Sequence, residues 1–405
     1  MNVLHHYKYI KGLLKNPFSA IPLIMLIYML SGCIALFEPP EEIKAITGIL
    51  VVEGVIVEEG TTISLKKTIK LDERDLAETY LFAELNRAVI QIIDEQDNVI
   101  AVAEQETNYA PYIVKEKITF VPGMKYALDI RTIDNKHYRS AFVEPADTPE
   151  IDEVTYQVKE DRSIDIMVST HDPTNETLYC LWDFEENWEV RSPYFQSIRY
   201  ESNTGELIQQ NINGENRYYC WASLVNRSLM LGSSEKFEAS VIKNYKIHTL
   251  QPGTSRYSYL YSINVTQYRL NRDAYLYFSN LQRNIEDSGS LFAPQPSEMT
   301  GNMQCLSDPD ETVIGYILAT KATTSRLFIP MTEINLHYFD DIYNYGCTEI
   351  EYDIIYDGFR FGYAFVTTTV NGRYLFVSGF CADCMQRGLG NPTKTKPAYW
   401  PNDHQ

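Results

Sequence analysis

The chain has 405 residues, 54 Asp and Glu against 35 Lys and Arg, and a formal net charge of −19 at pH 7. That length holds two or three domains, and so acidic a balance argues against nucleic acid or anionic lipid as a partner. Thirty tyrosines, against 17 Phe and 4 Trp, suit half-buried strands before they suit a sugar-stacking platform.

The first 32 residues read as an export signal. Lys8, Lys11 and Lys15 precede a short apolar run, Ile21 to Leu30, and no acidic residue stands before Glu38. About ten apolar residues are half of what a bilayer crossing needs, so the run is an h-region rather than a spanning helix. Leu30-Ser31-Gly32-Cys33 then has the form of a lipoprotein cleavage site, with Cys33 the residue that is acylated. Two or three acyl chains on one residue make detachment negligible, since each buried methylene contributes about 0.8 kcal/mol. No later stretch reaches the roughly 18 apolar residues of a membrane span.

Residues 34–46, with Pro39, Pro40 and three acids, read as a tether. Strands follow. Ile49 to Val57 is β-branched, Thr62 to Lys70 alternates, and Ala88 to Asp94 with Asn98 to Val102 makes a hairpin around Glu95-Gln96-Asp97. Met124 to Arg131 and His137 to Val143 flank a turn at Asp134-Asn135-Lys136, and residues 73–85 have the pattern of one short helix. About seven strands in about 100 residues close naturally as a β-sandwich. Glu144 to Pro149 is the best boundary.

Beyond it, Val154 to Lys159, Ser163 to Ser169 and Thr177 to Val190 are strands, and the polar stretch 201–219 is a loop or hairpin. Tyr257, Tyr259, Tyr261, Ile263 and Val265 alternate with small and polar residues as a half-buried strand. Asn271 caps a helix with Ala274, Phe278, Leu281 and Ile285 on its apolar face, ending at Gly289. Val313 to Thr320 and Arg326 to Ile329 return to strand. Phe365 to Val370 and Arg373 to Val377 flank Asn371-Gly372, a type I′ hairpin signal.

Motifs that carry chemistry are few. There is no G-x-S-x-G, H-E-x-x-H, phosphate loop or EF-hand ladder. His137, His171, His248 and His337 are isolated, and Asp308, Asp310 and Glu311 lack the turn glycine of a calcium loop. In Trp182 to Val190, alternation places Trp182, Phe184 and Trp188 inside and Asp183, Glu185 and Glu189 outside. Carboxylates two residues apart on a strand are about 7 Å apart, within the spacing of inverting glycosidases. An outward strand face, however, is ordinarily a solvated one.

With these landmarks placed, the chain resembles a family of Bacteroidota lipoproteins, the domain-of-unknown-function family 4249 (DUF4249). The resemblance rests on Leu50-Val-Val-Glu-Gly54, Cys220-Trp221, Tyr261-Ser-Ile-Asn-Val-Thr-Gln-Tyr268, Pro296 to Asn302 and Val313-Ile-Gly-Tyr316. It continues in Cys381-Ala-Asp-Cys384 with Arg387-Gly388, Lys396-Pro397 and Trp400. Met385 departs from it, standing where the family has arginine. The resemblance implies an outer-membrane lipoprotein working beside a TonB-dependent, SusC-like transporter, and it implies no reaction. Acidic residues directly after the lipid cysteine favour export to the cell surface in such lipoproteins, whereas here Ile34 to Phe37 are apolar and the acids come at Glu38, Glu41 and Glu42.

Once Cys33 is acylated, six cysteines remain: Cys180, Cys220, Cys305, Cys347, Cys381 and Cys384. They allow 15 pairings. A redox or zinc role for the C-x-x-C needs a thioredoxin-like setting or a second ligand pair, and neither is present. The even count and the resemblance imply that Cys381 or Cys384 is bridged upstream, to Cys347 first and Cys220 second, stapling the tail to the body. Such loops contribute about 4–5 kcal/mol in the loop-entropy model. Cys180 and Cys305 remain candidates for buried free thiols.

The expected fold is mainly β: an Ig-like or transthyretin-like β-sandwich, then a second β-rich domain with one helix and a cysteine-stapled C-terminal segment. The expected divisions are a signal peptide over 1–32, lipid anchor and tether over 33–46, sandwich over 47–145, second domain over 150–335, and hairpin and tail over 336–405. The expected function is a non-catalytic binding or accessory lipoprotein of the outer membrane, acting with the transporter in ligand capture or uptake; the cell exterior is the favoured side, with the periplasmic face as the alternative. The alternatives are an enzyme acting on a surface polymer through the acidic strand at 183–189, or a structural or adhesive surface lipoprotein. No catalytic, metal or cofactor-binding residue is assigned, and no cofactor or nucleic acid is expected.

Overall fold

The structure is a computed structural model that describes residues 48–68, 85–211, 216–226, 228–287, 301–334, 346–386 and 390–401. The signal, Cys33 and the tether lie outside the described residues, as do residues 73–84 of the expected short helix and the helix stop at Gly289. Among the described residues strands make up 48% and helices 11%, so the protein is mainly β.

Seven strands form where the N-terminal sequence alternates: Leu50–Ile56, Thr62–Lys67, Val89–Asp94, Val99–Gln105, Tyr112–Val114, Tyr126–Arg131 and His137–Ser140. They belong to one eleven-stranded sheet around a core that includes Leu50, Ile63, Ile90, Leu128 and Ile130. The remaining strands of that sheet include three from far downstream. Val313–Gly315 and Leu318–Lys321 run parallel to Leu50–Ile56, and Met303–Cys305 runs antiparallel to His137–Ser140. The late segment therefore covers both open edges of the early sheet.

Asn302 ties the two edges together. Its backbone N–H donates to Gly315 O at 3.1 Å, and its carbonyl accepts the Ala141 N–H at 2.7 Å. Its side chain accepts the Ile317 N–H and donates to the Ile317 carbonyl, at 2.7 and 2.8 Å. Here the structure departs from the expected divisions, which assign 303–321 to the second domain. Alternation specifies that a stretch is a strand and which face is buried, but it does not name the strand's partner.

The second body is a two-sheet sandwich. Val241–Leu250, Ile164–His171 and Ile151–Val158 form one sheet. Tyr219–Val225, Tyr179–Arg191, Leu260–Leu270 and Thr323–Pro330 form the other, with Met230–Ser233 also on Tyr179–Arg191. Ile164, Ile166 and Val168 meet Trp182, Phe184 and Ile263 between them. The expected helix is present as Arg272–Asp287: Asn271 Oδ1 accepts the Ala274 N–H at 2.8 Å, and Ala274 and Phe278 pack on Tyr179 and Leu181.

Two local expectations are corrected. The strand expected from Tyr257 begins at Leu260, after a 3-10 turn over Ser255–Tyr257, and Leu260 to Ile263 are buried on both faces. The Asn371-Gly372 hairpin exists between Tyr363–Thr368 and Tyr374–Ser378, but its loop has three residues rather than two. The Thr369 N–H donates to Arg373 O at 2.8 Å and the Gly372 N–H to Thr369 O at 2.9 Å, with positive φ at Gly372 and not at Asn371. That is the turn-plus-bulge closure. Asp97, Asn135 and Arg162 take the same left-handed position in three other hairpins.

The stretch 201–219 contributes a hairpin, Ile198–Glu201 with Glu206–Gln209, to a last five-stranded sheet with Tyr363–Thr368, Tyr374–Ser378 and Ile350–Tyr352. Phe359, Phe365 and Phe376 form its separate aromatic core.

Candidate functional site

The acidic strand lies at the centre of the larger sandwich sheet, flanked by Tyr219–Val225 and Leu260–Leu270. Trp182, Phe184 and Trp188 point into the core as the alternation requires. The opposite face is not the solvated one expected from the sequence, because Asn187 and Glu189 are each only 2% exposed. Glu189 Oε1 accepts Arg191 Nε at 3.0 Å, and Glu189 Oε2 accepts the Trp400 indole N–H at 3.3 Å. Asn187 Oδ1 accepts Arg326 Nη1 at 2.9 Å, and Arg326 lies 3.7 Å over the Tyr399 ring. Burial pushes the Asp183 carboxyl above the usual carboxylate range, with the Tyr268 and Thr266 hydroxyls opposing the shift.

The cover is the C-terminal segment 390–401, here called the strap. The Trp221 N–H donates to Thr393 O at 2.9 Å, the Thr393 N–H returns to Trp221 O at 2.7 Å, and the Ser223 N–H donates to Gly390 O at 2.9 Å. Trp400, Trp221 and Leu260 form one buried cluster, with Tyr219, Tyr259 and Phe328 packed against it. Lys394 Nζ donates to the Tyr219 carbonyl and lies 4.3 Å over the Tyr219 ring.

The residue that sequence reasoning missed on this strand is Glu186. It falls on the core face between Phe184 and Trp188 and is 2% exposed. Arg256 Nη2 donates to Glu186 Oε2 at 3.0 Å, and the Tyr261 hydroxyl donates to Oε1 at 3.0 Å. Arg256 Nε and His248 Nε2 stand 2.7 and 3.2 Å from the same Oε1 as ion-pair contacts, without hydrogen-bond alignment. Burial raises the Glu186 pKa, but His248, Arg256 and Tyr261 outweigh it and the carboxyl stays below its ordinary value. His248 belongs to the other sheet, so the cluster pins the two layers together. The signal available in the sequence was an acid at a core position of an alternating strand, which demands a cationic partner.

The cysteines divide between two bridges. Cys220 is bonded to Cys384 and Cys347 to Cys381, with Cα atoms 5.7 and 5.8 Å apart. The C-x-x-C is thus shared between two partners: one half holds the edge strand Tyr219–Val225, the other holds the chain entering the last sheet. All four cysteines lie in the sandwich core. Cys180 and Cys305 are free and buried.

The isolated histidines acquire carboxylate neighbours. His137 Nε2 is 2.6 Å from Asp129, and His171 Nδ1 is 2.7 Å from Asp152, while His337 lies outside the described residues. Glu311 turns away from Asp308 and Asp310 to bind Lys136 at 2.6 Å and the Tyr138 hydroxyl at 2.8 Å. Among the described residues no group of three or more His, Cys, Asp or Glu is placed to hold a metal ion. A cavity of about 180 Å³ opens beside Ser64, Asn86, Gln105 and Tyr112 in the first sheet. It is built on strands other than the acidic one, and Asn86 Oδ1 within it already accepts the Tyr109 N–H at 2.8 Å.

The family model described as "Domain of unknown function (DUF4249)" matches residues 37–326. No curated protein matches the chain. Among solved structures, bovine butyrophilin is similar at 10% identity and a TM-score of 0.17, over 55% of this chain and 92% of that one. The alpha-2-macroglobulin of E. coli in its native conformation is similar at 9% identity and a TM-score of 0.16, over 57% of this chain and 14% of that one. Scores of this size carry no functional argument.

Proposed function

We propose, from the premise that the chain belongs to the DUF4249 family, that it is a lipid-anchored protein of the outer membrane. In this reading it is a non-catalytic binding or accessory component that acts with a TonB-dependent, SusC-like transporter in ligand capture or uptake. The observation that carries the reading is Leu30-Ser31-Gly32-Cys33, set behind a basic segment and a short apolar run. No helix among the described residues is long and apolar enough to cross a membrane. The transporter partnership is carried over from the resemblance.

The enzyme alternative asks for a cleft that exposes two carboxylates. Glu189 is ion-paired and roofed by Trp400, so that face lends the alternative no support. Beyond the anchor, a tether of about 13 residues reaches at most about 45 Å, so a docking partner lies close to the membrane. Crosslinking in detergent-solubilised outer membranes is expected to recover a large β-barrel protein, and protease added to intact cells is expected to degrade the chain. Complete protection until lysis overturns the outward-facing arrangement.

A further inference from the structure

The strand Thr62–Lys67 is paired along the whole of one edge and along only part of the other. On the first edge it runs against Leu50–Ile56. On the second, Thr62 stands opposite Ile113 and Ile63 opposite Tyr112, and the Val114 N–H donates to Thr61 O at 2.9 Å. Backbone groups alternate in direction along a strand, so Thr61, Ile63 and Leu65 are the residues that face this second edge. Continuing the register puts Ala110 opposite Leu65, but that rung is not made. The Ala110 N–H turns back to Thr107 O at 3.1 Å, and the Ala110 carbonyl accepts Gln105 Nε2 at 2.9 Å. The Leu65 N–H and C=O therefore face a gap side by side, with no backbone partner across it among the described residues.

The cavity of about 180 Å³ occupies this gap, with Leu65, Leu85, Asn86, Ala110, Pro111 and Tyr112 in its walls. Asn86 is only 8% exposed. Its Oδ1 accepts the Tyr109 N–H at 2.8 Å and Gln105 Nε2 at 3.4 Å, while its Nδ2 has no acceptor among the described residues. A donor held in so enclosed a place gains from an acceptor brought to it. The Tyr112 hydroxyl is already used, donating to Leu85 O at 2.6 Å and accepting the Ala88 N–H at 2.9 Å. Lys66 at the rim is paired with Glu53 at 2.6 Å, so its charge is met. Tyr109 takes a φ of 66°, uncommon for a bulky residue, and it is Asn86 that holds its N–H there.

We propose that the gap binds a small, neutral ring compound that carries an amide edge, an N–H beside a C=O, and a second carbonyl. This is the pattern of a pyrimidine base such as uracil. The amide edge completes the rung that Ala110 leaves unmade, and the second carbonyl accepts from Asn86 Nδ2. The apolar walls take the ring. Size agrees, since a cavity of about 150 Å³ holds benzene. Charge agrees as well, because the paired Lys66 leaves no free cation to select a carboxylate. This proposal goes beyond the function proposed above and depends on neither the anchor nor the transporter.

The test titrates uracil, 1,3-dimethyluracil and benzene into the purified full chain, followed by ligand-observed NMR. Uracil is expected to bind in the millimolar range or tighter, and at least about tenfold more tightly than the dimethyl compound, which lacks the N–H. No uracil binding up to about 10 mM, or equal binding of all three probes, overturns the proposal. Asn86→Asp keeps the oxygen that holds Tyr109 and replaces the free donor with an acceptor. It should weaken uracil binding at least about tenfold with an unchanged melting temperature, and unweakened binding overturns the role of Asn86. Hydrogen exchange on the wild-type chain decides the matter if that variant fails to fold. Saturating uracil should slow the Leu65 amide about tenfold and leave the Ile63 amide, already paired with Tyr112, nearly unchanged. An unaltered Leu65 amide overturns the proposal.

Discussion

Glu186 and Arg256 form a doubly contacted ion pair inside the larger sandwich, at 2.7 and 3.0 Å, with the carboxylate 2% exposed. Breaking such a pair from one side leaves a buried charge uncompensated, at a cost of about 3–5 kcal/mol. Glu186→Ala is therefore expected to lower the chemical-denaturation midpoint sharply. The double variant with Arg256→Met should recover part of the loss, and no recovery would show that the ion pair is not the source.

The same carboxyl sets a pH dependence. Its folded-state pKa lies below the ordinary 4.5. Stability from Glu186 is thus fully present above the unfolded value and is lost as pH falls through the folded one. Acid unfolding curves should show wild type losing stability below about pH 4.5, with Glu186→Gln starting less stable and falling less steeply there. Parallel curves would assign the acid sensitivity to other groups.

The two bridges make separable predictions. Non-reducing peptide mapping is expected to find Cys220 linked to Cys384 and Cys347 to Cys381, with Cys180 and Cys305 alkylatable only after unfolding. Cys384→Ser should cost about 2–5 kcal/mol and also loosen the strap, raising acrylamide quenching of tryptophan. Cys347→Ser, at similar cost, should leave the strap's quenching as in wild type. A dominant Cys381–Cys384 peptide would contradict both expectations.

Gly301 and Gly315 approach so closely that a Cβ at Gly301 would stand 2.0 Å from the Gly315 carbonyl oxygen. Gly301→Ala should destabilise by about 1–3 kcal/mol or more through forced backbone shifts. Asn302→Ala, which removes two side-chain bonds to Ile317, should cost about 1–3 kcal/mol. Thermal melts check both, and an unchanged melting temperature for either would refute the closure role of 301–302.

Cys33→Ser should abolish palmitate labelling and release the chain from membranes, or leave it unprocessed. Wild-type labelling of that variant would remove the anchor from the proposed function.

What the sequence reveals follows what is local. The Asp94–Asn98 hairpin, the Asn271 cap and the long strand around Trp182 are specified by neighbours within a few residues. The missed features depend on partners far away in the sequence, 70 residues for Glu186 with Arg256 and 211 for Glu189 with Trp400. Nothing within Tyr179–Arg191 says that Trp400 will roof Glu189, and nothing within 303–321 says that Leu50–Ile56 awaits it. Asn371-Gly372 marks a hairpin correctly but not its loop length, because glycine's left-handed conformation serves both turn types.

The pairing of Leu50–Ile56 with 313–321 bears on how the chain acquires its shape as it is synthesised. Domains ordinarily fold from the amino end as they emerge. In this chain the first seven strands emerge with both flanks unprotected, and they are completed only after some 180 further residues have followed. The second sandwich can close first, between 151 and 330, with 301–321 threading back from it. The amino-terminal sheet is then the first part made and among the last parts finished, and a fragment ending near residue 149 would keep its exposed edges and aggregate.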